Sequence, residues 1–94
     1  MDRKLPEYIT EGEDGSLSVT LARGLDVAGA KVKAVRLREP TLDDQLAAQS
    51  GKTGSAESEV ALIANLAEIT PEELRRAKMR DYGRLQEALG FFYG

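Results

Sequence analysis

The sequence predicts an α+β fold: an N-terminal antiparallel β-hairpin followed by a bundle of three short helices, or four if the last is split. Three observations carry this expectation. Leu17, Val19 and Leu21 alternate with Ser16, Ser18 and Thr20 in the period-2 pattern of a half-buried strand. Thr41 and Thr70 each open a segment with the chemistry of a helix start. Between them Val60, Ile63, Ala64 and Ala67, flanked by Leu62, Leu66 and Ile69, form a wide apolar stripe at helical spacing.

Composition sets the scale. A chain of 94 residues with 41% hydrophobic content is expected to form one domain around one modest core. At this size only about 60–65% of the unfolded surface is buried, which leaves room for support from self-association or a partner. Cysteine and histidine are both absent, and with them go disulfides, thiolate nucleophiles, the commonest general base and the commonest transition-metal ligand. An enzyme is therefore the disfavoured class, and no cofactor or metal is expected. No stretch approaches the roughly 18 consecutive apolar residues of a membrane span, so none is expected. A net charge of −3 gives little general attraction to a phosphate backbone.

Residues 1–15 are acidic, with a proline and two glycines among few apolar residues, and read as a flexible tail; residues 16–94 then form the single domain. After the first strand, Gly24, Asp26 and Gly29 read as the turn formers of a longish hairpin loop. The second strand, from Ala30 to Glu39, alternates imperfectly: Val32 and Ala34 share one face, Val35 and Leu37 the other. A bulge near Ala34 and Val35 is favoured over two partly covered faces. Pro40 ends the strand because it cannot donate to a ladder and holds Glu39 extended. Thr41 then caps a short helix through Gln49, with Asp43 and Asp44 in its first turn, where the helix dipole favours negative charge. A glycine-bearing loop, "SGKTGS", separates it from the central buried helix. Next, Thr70 as N-cap, Pro71 at the first helical position and Glu73 at the capping-box position mark a further helix. Leu74, Ala77, Tyr82, Leu85, Leu89 and Phe92 continue the helical spacing, and Asp81 to Gly83 marks a kink or a fresh N-cap.

Few residues offer chemistry. Asp43 and Asp44 diverge by about 100° as helix neighbours and do not face one metal; capping accounts for them, as it does for Glu72 and Glu73. Lys31, Lys33, Arg36 and Arg38 form the dense basic stretch, whose simplest role is to keep an exposed strand from pairing edge to edge. Arg36 and Arg38 remain candidates for partner contact, and a small nucleic-acid-binding regulator using residues 31–38 is the alternative function, although no aromatic residue is interleaved there. "GKT" does not make a phosphate loop, since Leu46 stands where the first glycine belongs and a helix rather than a strand precedes it. Phe91, Phe92 and Tyr93 cannot all point inward, and with Leu85 and Leu89 they are the candidate face for another polypeptide.

Taken in order, "VTLARGLDVAGAKVKAVRLREPT", "LDD", "EVALIANLAEITPEEL" and "MRDYGRLQEALGFF" resemble the Mu-like tail assembly chaperones of contractile-tailed phages and prophages, over about residues 16–92. The resemblance implies a non-enzymatic protein of the host cytoplasm that binds the tape measure protein and keeps it soluble while tail tube subunits polymerise around it. It also implies absence from the finished virion. Contact with tail tube subunits and self-association into a homo-oligomer are further expectations. "DRKLPEYITEGEDG" departs from the family pattern.

Overall fold

The computed structural model describes residues 4–50 and 54–93. Three strands are followed by four helices: β1 (Ile9–Glu11), β2 (Leu17–Val27), β3 (Ala30–Leu37), α1 (Leu42–Gln49), α2 (Ser55–Ala67), α3 (Pro71–Arg75) and α4 (Met79–Phe92). The arrangement is α+β, as expected. The strands form an antiparallel meander in the order β1-β2-β3. The alternation read from sequence decides which face is covered: Leu17, Val19 and Leu21 are buried while Thr20 and Ala22 are exposed. α4 packs on β2 and α2 on β3, α1 lies against α2, and α3 bridges α2 to β2. Val19, Leu37, Ile63, Leu66, Leu74 and Leu85 meet at the centre of this two-layer core. At about 1.5–3 kcal/mol for each fully buried aliphatic side chain, these six supply much of the drive to fold.

The structure corrects the sequence reading at four places. The segment read as a loose tail supplies β1, whose partners are Ile9 with Val19, Thr10 with Ser18 and Glu11 with Leu17. Burial of the Ile9 side chain supplies the drive that the acidic composition hid. The hairpin loop is short: β2 runs to Val27, and Ala28 (φ 52°) and Gly29 (φ 84°) both take the positive φ that a two-residue type I′ connection needs. The irregularity lies in β2 and not at Ala34 and Val35. Thr20 pairs with Ala34 and Leu25 with Val32, so Leu21 to Gly24 stand opposite Lys33 alone. Finally, the break between the last two helices falls at Arg76 to Lys78, ahead of Asp81.

Asp81 explains the irregular strand. Its side chain is fully buried in the first turn of α4. One carboxylate oxygen accepts from the amide of Ala22 at 2.6 Å; the other accepts from Arg23 at 2.9 Å and Gly24 at 3.1 Å. Three successive amides that leave the strand ladder are thereby satisfied, where unpaired and buried they would each cost about 1–3 kcal/mol. Gly24 is required there, because φ is +92° and a Cβ would come within 3.1 Å of the Val32 carbonyl oxygen.

The helix starts match the sequence reading. The Thr41 hydroxyl accepts from the Asp44 amide at 3.2 Å and the Asp44 carboxylate accepts from the Thr41 amide at 2.9 Å. Thr70 and Glu73 make the same reciprocal pair at 3.0 Å each. Glu73 does more: its second oxygen accepts from the Ala28 amide at 2.8 Å, tying α3 to the hairpin turn. These bonds, led by that from Thr70, hold the Glu73 carboxyl below its ordinary pKa. α2 ends where Glu68 turns left-handed (φ 60°) and the Ile69 amide returns to the Ala64 carbonyl at 3.0 Å. The loop residues Gly51 to Thr53, where the "GKT" similarity fell, lie outside the described residues.

Candidate functional site

The arginines proposed for contact brace the fold. Arg38 makes a bidentate pair with Asp44, at 2.8 and 3.0 Å, across the junction between β3 and α1. Asn65 adds a bond to the same carboxylate at 3.3 Å, and the Arg38 amide donates to the Leu66 carbonyl at 3.2 Å. The Arg38 guanidinium, followed by the Thr41 amide, holds the Asp44 carboxyl well below the usual carboxylate range. Arg36 reaches the N-terminal turn, where its guanidinium pairs with Asp14 and its Nε donates to the Ser16 hydroxyl at 3.2 Å. Lys31 stands 3.9 Å from Asp26. The basic stretch thus has carboxylate neighbours at Lys31, Arg36 and Arg38, and its local field is partly cancelled.

The C-terminal candidates divide. Leu85 and Leu89 face the sheet and are buried in the core, with Ala88 between them. Both hold α4 in place; Leu85 is fully buried, while the edge of Leu89 reaches the surface of a cleft beside α1. Phe91 and Phe92 are half-buried and pack against that core. Tyr93 is 63% exposed, and its hydroxyl donates to the Gln45 side chain of α1 at 2.8 Å. Of the five, Tyr93 alone is predominantly at the surface.

The strongest exposed apolar feature lies on α1, and the sequence reading missed it. Ala48 is the one residue of this helix that is buried, while Leu42 is 74% and Leu46 is 56% exposed. Four residues apart, the two leucines share one face, beside the Gln45 and Gln49 edge of the helix. That edge forms one wall of an open cleft of about 450 Å³ between α1, the start of α2 and the end of α4. Ala48, Leu62 and Leu89 form part of the cleft lining, and Ser58, Glu59 and Tyr93 bring polar atoms to it. Glu59 is held by Tyr82, whose hydroxyl donates to it at 2.7 Å, and by Gln86 at 2.8 Å. Burial first, and then this carboxylate, push the Tyr82 phenol above its ordinary pKa. One signal for the site was available: a helix whose large apolar residues are Leu42 and Leu46, with no third large one to complete a core-facing stripe.

Two adjacent exposed leucines beside a concave, mixed wall suit the capture of an apolar side chain from another polypeptide. Among the described residues no group of three or more acidic, histidine or cysteine residues is placed to hold a metal ion. No helix among them is long and apolar enough to cross a membrane. Comparison with curated proteins gives no match, and comparison with solved structures gives none either. A family model does match, over residues 18–94, from the second residue of β2 through all four helices, and its description is "Phage tail assembly chaperone proteins, E, or 41 or 14". With so much of its length matched, the chain belongs to the phage tail assembly chaperone family.

Proposed function

We propose that the protein acts in tail assembly by binding the tape measure protein and holding it in solution, in the host cytoplasm, while tail tube subunits assemble around it. The observation that carries this reading is the exposed Leu42 and Leu46 face beside the cleft, on a small body whose net charge of −3 favours solubility. The work is binding, not catalysis. Burying two leucines is worth about 3–6 kcal/mol before the entropy of association is subtracted, so a single contact is weak. Many copies along one long client convert such contacts into firm retention through effective concentration.

The test is co-expression with a phage tape measure protein. The wild-type chain is expected to keep that protein in the soluble fraction and to co-purify with it. The doubly substituted Leu42→Ser, Leu46→Ser chain is expected to lose both effects while its circular dichroism spectrum is unchanged. If the variant rescues the client as well as the wild type does, the α1 face is not the binding surface. If neither chain rescues it, the holdase reading itself fails.

A further inference from the structure

β3 is an outer strand of the sheet, and the register fixes which of its backbone groups are spare. The Thr20 amide donates to the Tyr8 carbonyl at 2.8 Å, so Thr20 turns its backbone groups towards the β1 side and away from β3, as does Ser18 two residues before it. Their partners across the other ladder are Ala34 and Arg36. Both pairs are therefore of the non-hydrogen-bonded kind, and the N–H and C=O of Ala34 and Arg36 point outward from the sheet. The Arg38 amide, next in the same alternation, agrees with this direction by donating to the Leu66 carbonyl at 3.2 Å. The end of α2 thus closes the edge at Arg38 and leaves it open at Arg36 and Ala34. Beside the open part lies a cleft of about 290 Å³, whose apolar walls include Val32, Val35, Leu66 and Ile69. Val32 and Ile69 are half-buried there, and Ala34 is exposed.

An edge of this kind is completed by one more strand: spare main-chain groups supply the bonds, and an adjoining pocket takes an alternate side chain. Charge decides which strand. Lys31, Lys33, Arg36 and Arg38 follow one another along β3 and its end. Among the described residues Lys33 makes no ion pair, and the pairs of Lys31 and Arg36 are exposed, so these three cations stay accessible. Two cations, Arg36 and Arg38, line the cleft against one acid, Glu68. A second copy of β3 laid on this edge would set cation against cation, which destabilises a ladder when the charges stand opposite. We infer that the outer edge of β3, from Val32 to Arg36, is a strand-addition site for an extended acidic segment of a partner polypeptide, one aliphatic side chain of which enters the cleft between β3 and the end of α2. The lysines that keep the edge from pairing with its own copies admit a segment of opposite charge, so protection and recognition rest on the same residues. This surface is separate from the α1 face, and its partner need not be the client held there.

The test titrates the full chain into a fluorescent peptide of alternating glutamate and valine, read by anisotropy at low and at moderate salt. Saturable binding that weakens as salt rises is expected. Ala34→Pro removes an outward N–H and leaves the ladder to β2 intact, so a loss of at least about ten-fold in affinity is expected with an unchanged circular dichroism spectrum. Lys33→Glu, a change at an exposed side chain, is the second variant should Ala34→Pro not fold, and is expected to weaken binding by about three-fold or more. Methylating the peptide's backbone nitrogens, which keeps its charges and removes its donors, is expected to abolish binding. No saturable binding, or binding that survives both Ala34→Pro and backbone methylation, overturns the inference. So does a Lys33→Glu chain that binds as tightly as the wild type. A short DNA duplex that displaces the peptide and binds Ala34→Pro as well as the wild type would show an edge that reads charge alone, and would overturn it too. Dimers of the wild-type chain that are lost in Ala34→Pro and exclude the peptide would assign the edge to a second copy, with the same consequence.

Discussion

The two ends of the helical layer treat their side chains in opposite ways. At α3 and α4, carboxylates turn inward: Glu73 reaches the hairpin turn and the fully buried Asp81 holds three amides of β2. At α1, leucines turn outward, and Ala48 is the helix's buried residue. A polar group taken from water must find its partners, so the first end is fixed by geometry. An apolar group left in water gains by finding a partner elsewhere, so the second end is available. The same chain thus separates the part that must keep its shape from the part that can meet another protein.

Substitutions test the contrast directly. The largest loss is expected for Asp81→Ala, which orphans the amides of Ala22, Arg23 and Gly24 and should cost more than about 3 kcal/mol in urea unfolding. Asp81→Asn keeps one acceptor oxygen and should lose roughly half as much. A cost below about 1 kcal/mol for Asp81→Ala would show that the strand holds its irregular register without the carboxylate. Next comes Leu85→Ala, expected to cost about 2–5 kcal/mol through the cavity it leaves; a near-neutral result would place Leu85 at a surface after all.

Smaller effects belong to the caps and the junction. Thr70→Ala and Thr41→Ala should each cost about 1 kcal/mol, read as a shift in urea midpoint at unchanged slope. Asp44 ties its stabilising effect to pH. Arg38 and the Thr41 amide depress its folded-state pKa below the ordinary 3.8, so its contribution is complete above that value and declines as pH falls towards the folded one. The stability gap between the wild-type chain and Asp44→Asn should therefore narrow only in acid; a gap constant from neutral pH to strong acid would mean that the carboxylate's charge is not what matters. The smallest stability change, within about 0.5 kcal/mol, is expected for Leu42→Ser with Leu46→Ser, although the same pair should abolish client retention.

What could be read from sequence was what is local. Both N-caps, Thr41 and Thr70, and the Thr70–Glu73 capping box sit within four residues, and the strand alternation and the α2 stripe repeat within one element, so propensity and spacing exposed them; the reciprocal bond from Asp44 to Thr41 is added by the structure. The roles of Asp81 and Glu73 in the hairpin depend on amides far away in the chain, which no window contains. The length of the loop was misread for a related reason: Gly24 reads as a turn former, but its positive φ serves an irregular strand held by Asp81. β1 was hidden because "YIT" is a weak strand signal inside an acidic stretch, and Ile9 is its single buried anchor. Of the residues expected to make contact, Leu85 lies at the centre of the core and Leu89 lies at its edge, lining the cleft, because periodicity gives a face but not what covers it. Leu42 and Leu46, without a third large apolar residue on their helix, left a signal in the sequence, but that nothing covers them is seen only in the packing.

The buried aspartate also sets a timetable. The amides of Ala22, Arg23 and Gly24 depend on a side chain 57 to 59 positions further along, so during synthesis the hairpin emerges well before the group that completes it. At about 5–20 residues per second the wait is roughly 3–12 s, during which water is the only partner these amides have. The order of translation therefore makes α4 the element that locks the sheet, and a nascent chain halted before residue 81 carries an unfinished strand.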